Sequence, residues 1–271
     1  TSKPQRKRGL GLPETDREFQ PRQSVYYGKR NEKTMKIVIT AGGTSEKIDD
    51  VRTITNSSTG RLGYAVGTAF LQQYADELEA VYYLHGTRAR HPEHEKVIPI
   101  EIGGVADLQR ELGRILAEEK IDAVVHAMAV SDYTVKEVTT LEKIRGEEPE
   151  DGGADLSGNK ISSDIEDLII HMKRSPKVIG SIKKWSPDSL LVGFKLLSGV
   201  PHEELIAVGT RLMEKNDCDF VLANDLQEIG ADFHKGYLIH KDGSCDTMET
   251  NEEIADRIAQ RVMTACRERS K

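Results

Sequence analysis

From Met35 onward, short β-branched or aliphatic runs alternate with stretches whose apolar residues recur at helical spacing. The runs Lys36–Ala41, Ala80–Leu84, Val97–Ile100, Ile121–Ala127, Leu190–Phe194 and Phe220–Ala223 read as strands. Helices are expected over about Arg61–Tyr74, Val105–Glu118, Asp167–Trp185 (interrupted near Ser175-Pro176) and Glu203–Lys215. The first of these puts Leu62, Ala65, Val66, Ala69 and Phe70 on one face. Ile121–Ala127 is apolar enough to be covered on both sides. Strand–helix alternation of this kind predicts an α/β fold with a doubly wound, mainly parallel sheet and a ligand crevice at the strands' C-terminal ends. A hairpin follows, Tyr237–His240 to Thr247, turning at Asp242-Gly243. A last helix runs from a Thr250 or Asn251 cap to about Arg267.

The chain has 271 residues, 31% of them charged, and its apolar runs fall far short of the roughly 20 residues a membrane span needs. No secretory apolar segment follows the basic start, so a cytoplasmic protein with no membrane partner is expected. Cys218, Cys245 and Cys266 are widely spaced and form no CxxC pair, which predicts reduced cysteines rather than a disulfide frame or a zinc site. Residues 1–34 hold nine Lys/Arg against four Asp/Glu, leaving 29 basic and 41 acidic residues for the remainder. The acidic body argues against nucleic acid as a partner. Residues 1–34 are poor in aliphatics and read as a basic extended arm or an added leader, before a single domain over 35–271. Residues 134–160 are polar and rich in Glu and Gly, so a flap is expected there.

Unusual residues gather at the predicted strand ends. Gly42-Gly43-Thr44 ends the first strand, and the donor-rich Asn56-Ser57-Ser58-Thr59-Gly60 precedes the first long helix. Helix starts of this kind favour anions. The fourth strand runs into Ala127-Met128-Ala129-Val130-Ser131-Asp132-Tyr133, the fifth carries Gly193-Phe194-Lys195, and the sixth ends in Ala223-Asn224-Asp225. In a parallel sheet these ends lie side by side. Asp132 and Asp225 are candidates for ribose hydroxyls or a metal, and equally for helix N-caps. Lys160, where the flap returns, could neutralise a transferring phosphate or be an ordinary surface lysine. Arg211 and Lys215, four apart, could grip a phosphate jointly or form a solvated face.

A nicotinamide-dependent reductase is the alternative on this fold class. It fares poorly, because GxGxxG is absent and the YxxxK pair Tyr237/Lys241 falls on a predicted strand, where that spacing does not make neighbours. Arg88 after the second strand keeps a 2′-phosphate formally open. His91-Pro92-Glu93-His94 lacks helical placement for a metal site.

Taken in order, ITAGGTSEKIDDVRTITNSSTGRLG, HAMAVSDY, NKISS, LVGFKLLS and VLAND resemble phosphopantothenoylcysteine synthetase of coenzyme A biosynthesis, from about Met35 onward. With no flavin-binding decarboxylase segment before the match, the monofunctional form is expected. The resemblance implies a Rossmann-like homodimer that ligates 4′-phosphopantothenate to L-cysteine. A nucleoside triphosphate, CTP or ATP with Mg²⁺, activates the carboxylate as an acyl-nucleotidylate, releasing pyrophosphate. The cysteine amine then displaces the nucleoside monophosphate.

Carried over by motif, Asn56 steadies the acyl-nucleotidylate and Lys160 serves the cysteine half-reaction. Ser162 and Ser163 stand where many members have further lysines. Gly43, Ser58, Ala127, Ala129, Asp132, Gly193, Phe194, Arg211 and Lys215 are expected at the nucleotide. Gly60, Arg61, Asn224 and again Asn56 are expected at the other substrate. No protein metal ligand is implied.

Overall fold

The computed structural model describes residues 34–147, 156, 160–230 and 233–270. The arm and the centre of the expected flap therefore lie outside the described residues. Lys33–Lys271 cluster as one compact unit.

Among the described residues, twelve strands and six helices follow in chain order. They are β1 (Met35–Ala41), β2 (Ser45–Lys47), β3 (Thr53–Thr55), α1 (Arg61–Tyr74), β4 (Leu78–Gly86), β5 (Val97–Ile102), α2 (Val105–Glu118) and β6 (Ala123–His126). Then come β7 (Tyr133–Thr140), α3 (Leu141–Arg145), β8 (Leu168–Arg174), α4 (Ile179–Trp185), β9 (Leu190–Leu197), α5 (His202–Asn216), β10 (Phe220–Asp225), β11 (Gly236–His240), β12 (Cys245–Met248) and α6 (Asn251–Arg269).

The central sheet has the order β12-β11-β10-β9-β6-β1-β4-β5, parallel except for the hairpin β11–β12 at one edge. This is the Rossmann-like doubly wound sheet with a C-terminal hairpin extension. The centres of its middle strands are apolar because both faces are covered: Ile37, Val38, Ile39, Val124 and Val125 are fully buried. One face packs against α1 and α6 through Val66, Phe70, Ile258 and Val262. The other packs against α2, α4 and α5 through Leu108, Leu112, Ile182 and Met213. The chain leaves β1 for one face and enters β6 from the other, so the crevice opens between these two strands. The close approach of α1 to β1 depends on Gly63, where an added Cβ would lie 2.5 Å from that of Ala41.

Two predicted elements differ. Residues 168–174, expected to begin a helix, form β8, which pairs antiparallel with β7; only Ile179–Trp185 is helical. Seven residues ending at Arg174 are too few to separate a period of 2 from one of 3.6, and Pro176 then prevents the helix from extending back. The first part of the expected flap, Tyr133–Thr140, is likewise a strand. The polar excursion after β1 holds a small hairpin of β2 and β3.

His126 ends β6 in full burial, with Nδ1 3.0 Å from Thr40 Oγ1, which also accepts the Met128 N–H at 3.2 Å. Burial pushes its pKa down to about 4, so the folded ring stays neutral. An unfolded chain binds that proton below about pH 6.5. Stability held above that pH is therefore lost as acid is added, by up to ~1.4 kcal/mol per pH unit until the folded value is reached. We predict that denaturation midpoints fall between pH 6.5 and 5, and that His126→Asn makes the slope shallower. An unchanged slope in the variant would assign the acid sensitivity elsewhere.

Candidate active site

The strand ends of β1 and β6 do not separate where their ladder stops. Gly42, with φ 82°, turns the chain so that its carbonyl accepts the Ala129 N–H at 2.8 Å. Thr44 N–H donates to the Ala129 carbonyl at 3.1 Å. Ser131 N–H donates to Thr44 Oγ1 at 2.9 Å, and Thr44 Oγ1 donates to Ser131 Oγ at 2.9 Å. Two motifs almost ninety positions apart are thereby joined into one floor.

Asn56 completes it. Its Nδ2 donates to the same Ala129 carbonyl at 2.7 Å, and its backbone N–H donates to Thr44 O at 3.3 Å. The amide oxygen Oδ1 has no partner among the described residues. Gly43 makes room for this arrangement, since a Cβ there would stand 2.9 Å from both the Cβ and the carbonyl oxygen of Asn56. Ala127, Ala129, Gly43 and Asn56 are thus brought together as expected. Ser58 and Gly60 follow directly, and α1 begins at Gly60 in the left-handed region (φ 77°) with no side chain capping it. Its first N–H groups are open to a ligand or water.

The β2–β3 hairpin is fastened at two points the sequence did not announce. Glu46, nearly buried, accepts the Val105 N–H at 2.8 Å and the Thr134 hydroxyl at 2.6 Å, tying the hairpin to the start of α2 and to β7. At the hairpin tip, Asp49 accepts from the Val51 and Arg52 N–H groups at 2.9 and 2.7 Å and from Arg52 Nε at 2.9 Å. It also accepts the Ile161 N–H at 3.1 Å, while Arg52 Nη2 donates to the Ile161 carbonyl at 2.7 Å. Arg52 and the backbone donors hold the Asp49 carboxyl well below the usual carboxylate range. Lys160, itself exposed, is therefore fixed at its neighbour's backbone, with Ile161 buried beneath. An Asp-x-x-Arg spacing on a turn was the available sequence signal.

Asp132 is exposed and paired with Lys177, a residue the sequence reading passed over. Asn224 is buried, its Nδ2 2.9 Å from His234 Nε2, while His234 Nδ1 lies 2.8 Å from Asn251 Oδ1. This network fits a neutral ring with its proton on Nδ1. Burial, aided by the charge of Arg61, lowers the His234 pKa. Asn224 is thus locked by a histidine, and its Oδ1 has no partner among the described residues.

Other candidates fall elsewhere. The Asp225 carboxylate accepts three backbone N–H groups, from Gly199, Val200 and Gln227 at 2.9, 2.9 and 2.8 Å, so it braces loops. Gly193 faces Cys218 and Ile179 in the α4–α5 layer, whereas Phe194 points to the α1–α6 side. Arg211 and Lys215 sit exposed on the far half of α5, which runs away from the crevice; they are not brought to it. Tyr237 and Lys241 lie on and just after β11, bonded to Glu228 and Asp217, so no helical YxxxK pair exists. All three cysteines are free, and no cluster of three His, Cys, Asp or Glu among the described residues forms a metal cage. No described helix is long and apolar enough to cross a membrane.

The site is thus the switch point of a Rossmann-like sheet, floored by glycines, amides and hydroxyls. The family model of the DNA/pantothenate metabolism flavoprotein C-terminal domain matches residues 32–266, and the chain belongs to that family. The coenzyme A biosynthesis bifunctional protein CoaBC of Thermococcus kodakarensis is 30% identical over 224 residues, 82% of this chain and 49% of that protein. The chain spans about half the length of such curated relatives. The crystal structure of the DNA/pantothenate metabolism flavoprotein from Streptococcus pneumoniae superposes with a TM-score of 0.74 at 36% identity, covering 86% of this chain and 100% of that one. A Cab2 histidine-to-alanine mutant in complex with phosphopantothenate-cysteine has the same fold, with a TM-score of 0.63 at 18% identity over 86% of this chain and 87% of that one.

The clamp at Ile161 generates a structural prediction. Asp49→Ala should speed hydrogen exchange at the Ile161 amide and expose the Lys160 segment to limited proteolysis, whereas Lys160→Gln should change neither. Exchange at wild-type rate in Asp49→Ala would show that the segment is held by something else.

Proposed function

We propose that this chain ligates 4′-phosphopantothenate to L-cysteine through an acyl-nucleotidylate. The observation that carries the reading is Asn56, oriented by the Ala129 carbonyl beside the open start of α1. Family membership supports it, as does the phosphopantothenate-cysteine complex of the structurally similar Cab2 mutant.

In the first step a carboxylate oxygen of phosphopantothenate attacks the α-phosphorus of the nucleoside triphosphate, and the bond to the β-phosphate breaks to release pyrophosphate. In the second, the cysteine amine attacks the acyl carbon, loses a proton, and the nucleoside monophosphate departs with the former carboxylate oxygen. Such chemistry needs positioning and charge neutralisation more than covalent help. Asn56 has one Nδ2 N–H left to donate to the reacting carboxylate, and its Oδ1 to accept from a donor on the substrate. Lys160, set beside the Asp49–Arg52 clamp, supplies a point charge as the monophosphate leaves. Asn224, locked by His234, offers its Oδ1 to a substrate donor.

The nucleotide lies along Gly43, Ser58, Ala127, Ala129 and Asp132, with Phe194 on the α1–α6 side. CTP is the assigned co-substrate and ATP the alternative. A magnesium ion accompanying the triphosphate would be held chiefly through phosphate oxygens and water and would offset the charge of the phosphates. The active form is assigned as a cytoplasmic homodimer, exposed Tyr133 on β7 and Ile144 on α3 offering a surface for a second copy.

Protein mixed with phosphopantothenate, cysteine, Mg²⁺ and CTP or ATP should release pyrophosphate; silence with both nucleotides would refute the reading. Asn56→Ala should slow pyrophosphate release about a hundredfold. Lys160→Gln should form the acyl-nucleotidylate and consume it slowly, and normal turnover in that variant would remove Lys160 from the mechanism.

A further inference from the structure

Beside the start of α1 lies a cavity of about 560 Å³ that extends along the helix toward Gln72, with α6 as its other wall. Arg61, Arg88 and Arg90 line it, and none of the three has a hydrogen bond or ion-pair partner among the described residues. Elsewhere on this surface Arg110, Arg114, Arg261 and Arg267 are paired with carboxylates. Glu252 and Asp256 line the α6 side of the cavity, and Asp256 is engaged by Gln73.

The loop carrying two of these arginines is built into the site floor. Ala89, between them, is buried, and its N–H donates to the Gly86 carbonyl at 2.8 Å. Its methyl group occupies the space above Gly42 and Gly60, where added Cβ atoms would stand 2.8 and 2.7 Å from it. Arg88 and Arg90 flank this wedge, so their backbone positions are set by the same glycines that shape the crevice.

We propose that Arg88 and Arg90, with Arg61, bind the β- and γ-phosphates of the nucleotide, the part that leaves as pyrophosphate. This rests on the ligase reading for its substrate. An in-line displacement at the α-phosphorus puts the attacking carboxylate and the leaving pyrophosphate on opposite sides. Asn56, on the floor, marks the carboxylate side. Past Gly60 the chain enters the arginine-lined cavity, which is the side left for the leaving group. Guanidinium groups without internal partners are suited to bidentate phosphate contacts that are not satisfied at the expense of another salt bridge. A phosphate at the end of the second substrate has the same chemistry, so the test separates the two sources.

The full chain and its Arg88→Ala, Arg90→Ala and doubly substituted variants are titrated with inorganic triphosphate by calorimetry, and KM is measured for the nucleotide and for phosphopantothenate separately. Both side chains are exposed, and an unchanged melting temperature checks that the variants fold. The expected result is a loss of triphosphate affinity of about tenfold per arginine, a matching rise in KM for the nucleotide, and an unchanged KM for phosphopantothenate. Failure of the unsubstituted protein to bind inorganic triphosphate, or binding unaffected by the substitutions, would overturn the proposal. So would a rise confined to the KM for phosphopantothenate, which would assign the cavity to that substrate's phosphate. Arginine-dependent triphosphate binding in a protein that shows no ligation would uphold this site while removing the ligase reading.

Discussion

The carbonyl oxygen of Ala129 holds the site together. It accepts the Thr44 N–H and the Asn56 amide at once, using both lone pairs on groups from two separate motifs. The first bond, with those of Gly42 to the Ala129 N–H and of Thr44 to Ser131, keeps the loops after β1 and β6 from diverging at the switch point. Without the second, Asn56 would be a surface residue on a polar excursion. The buried ladder below, Ile37–Thr40 against Ala123–His126, makes that carbonyl's position a property of the core rather than of a loop.

The rest of the crevice is arranged around that fixed point by steric exclusion. Gly43 lets Asn56 approach, and a Cβ on Gly86 would lie 2.3 Å from the Gly43 carbonyl oxygen, so three backbone segments meet with no side chain between them. Polar groups at the margin are second-hand positions: Lys160 is set by Asp49 and Arg52 acting on Ile161, and Asn224 by His234, itself held by Asn251. The groups proposed to touch ligand are thus held by groups that need not touch it.

Much of this was legible in the sequence for physical reasons. Strands buried on both faces must be continuously apolar, so β1, β6 and β10 were readable within a few residues. The helices α1, α2 and α5 carry long periodic stripes and were placed almost to the residue. Elements without such a signature were not: β8, read as helix, is a short half-exposed arm strand whose partner β7 lies in what looked like a flap. The gathering of Gly43 and Ala129 at neighbouring strand ends was also legible, because topology alone collects them. The spacing of four between Arg211 and Lys215 reports a shared helix face and not which end of the helix meets the crevice. Glu46, Lys177 and His234 act through contacts distant in sequence, and nothing local distinguishes them from surface residues, whereas Asp49 carries a local mark in its spacing to Arg52.

The proposed ligation requires attack of a carboxylate on the α-phosphorus rather than on the γ-phosphorus. Phosphopantothenate labelled with ¹⁸O in its carboxylate tests this directly, by following the label through one turnover with cysteine and nucleotide. Label recovered in the nucleoside monophosphate is the predicted result. Label recovered in inorganic phosphate would mean an acyl-phosphate intermediate and would contradict the account.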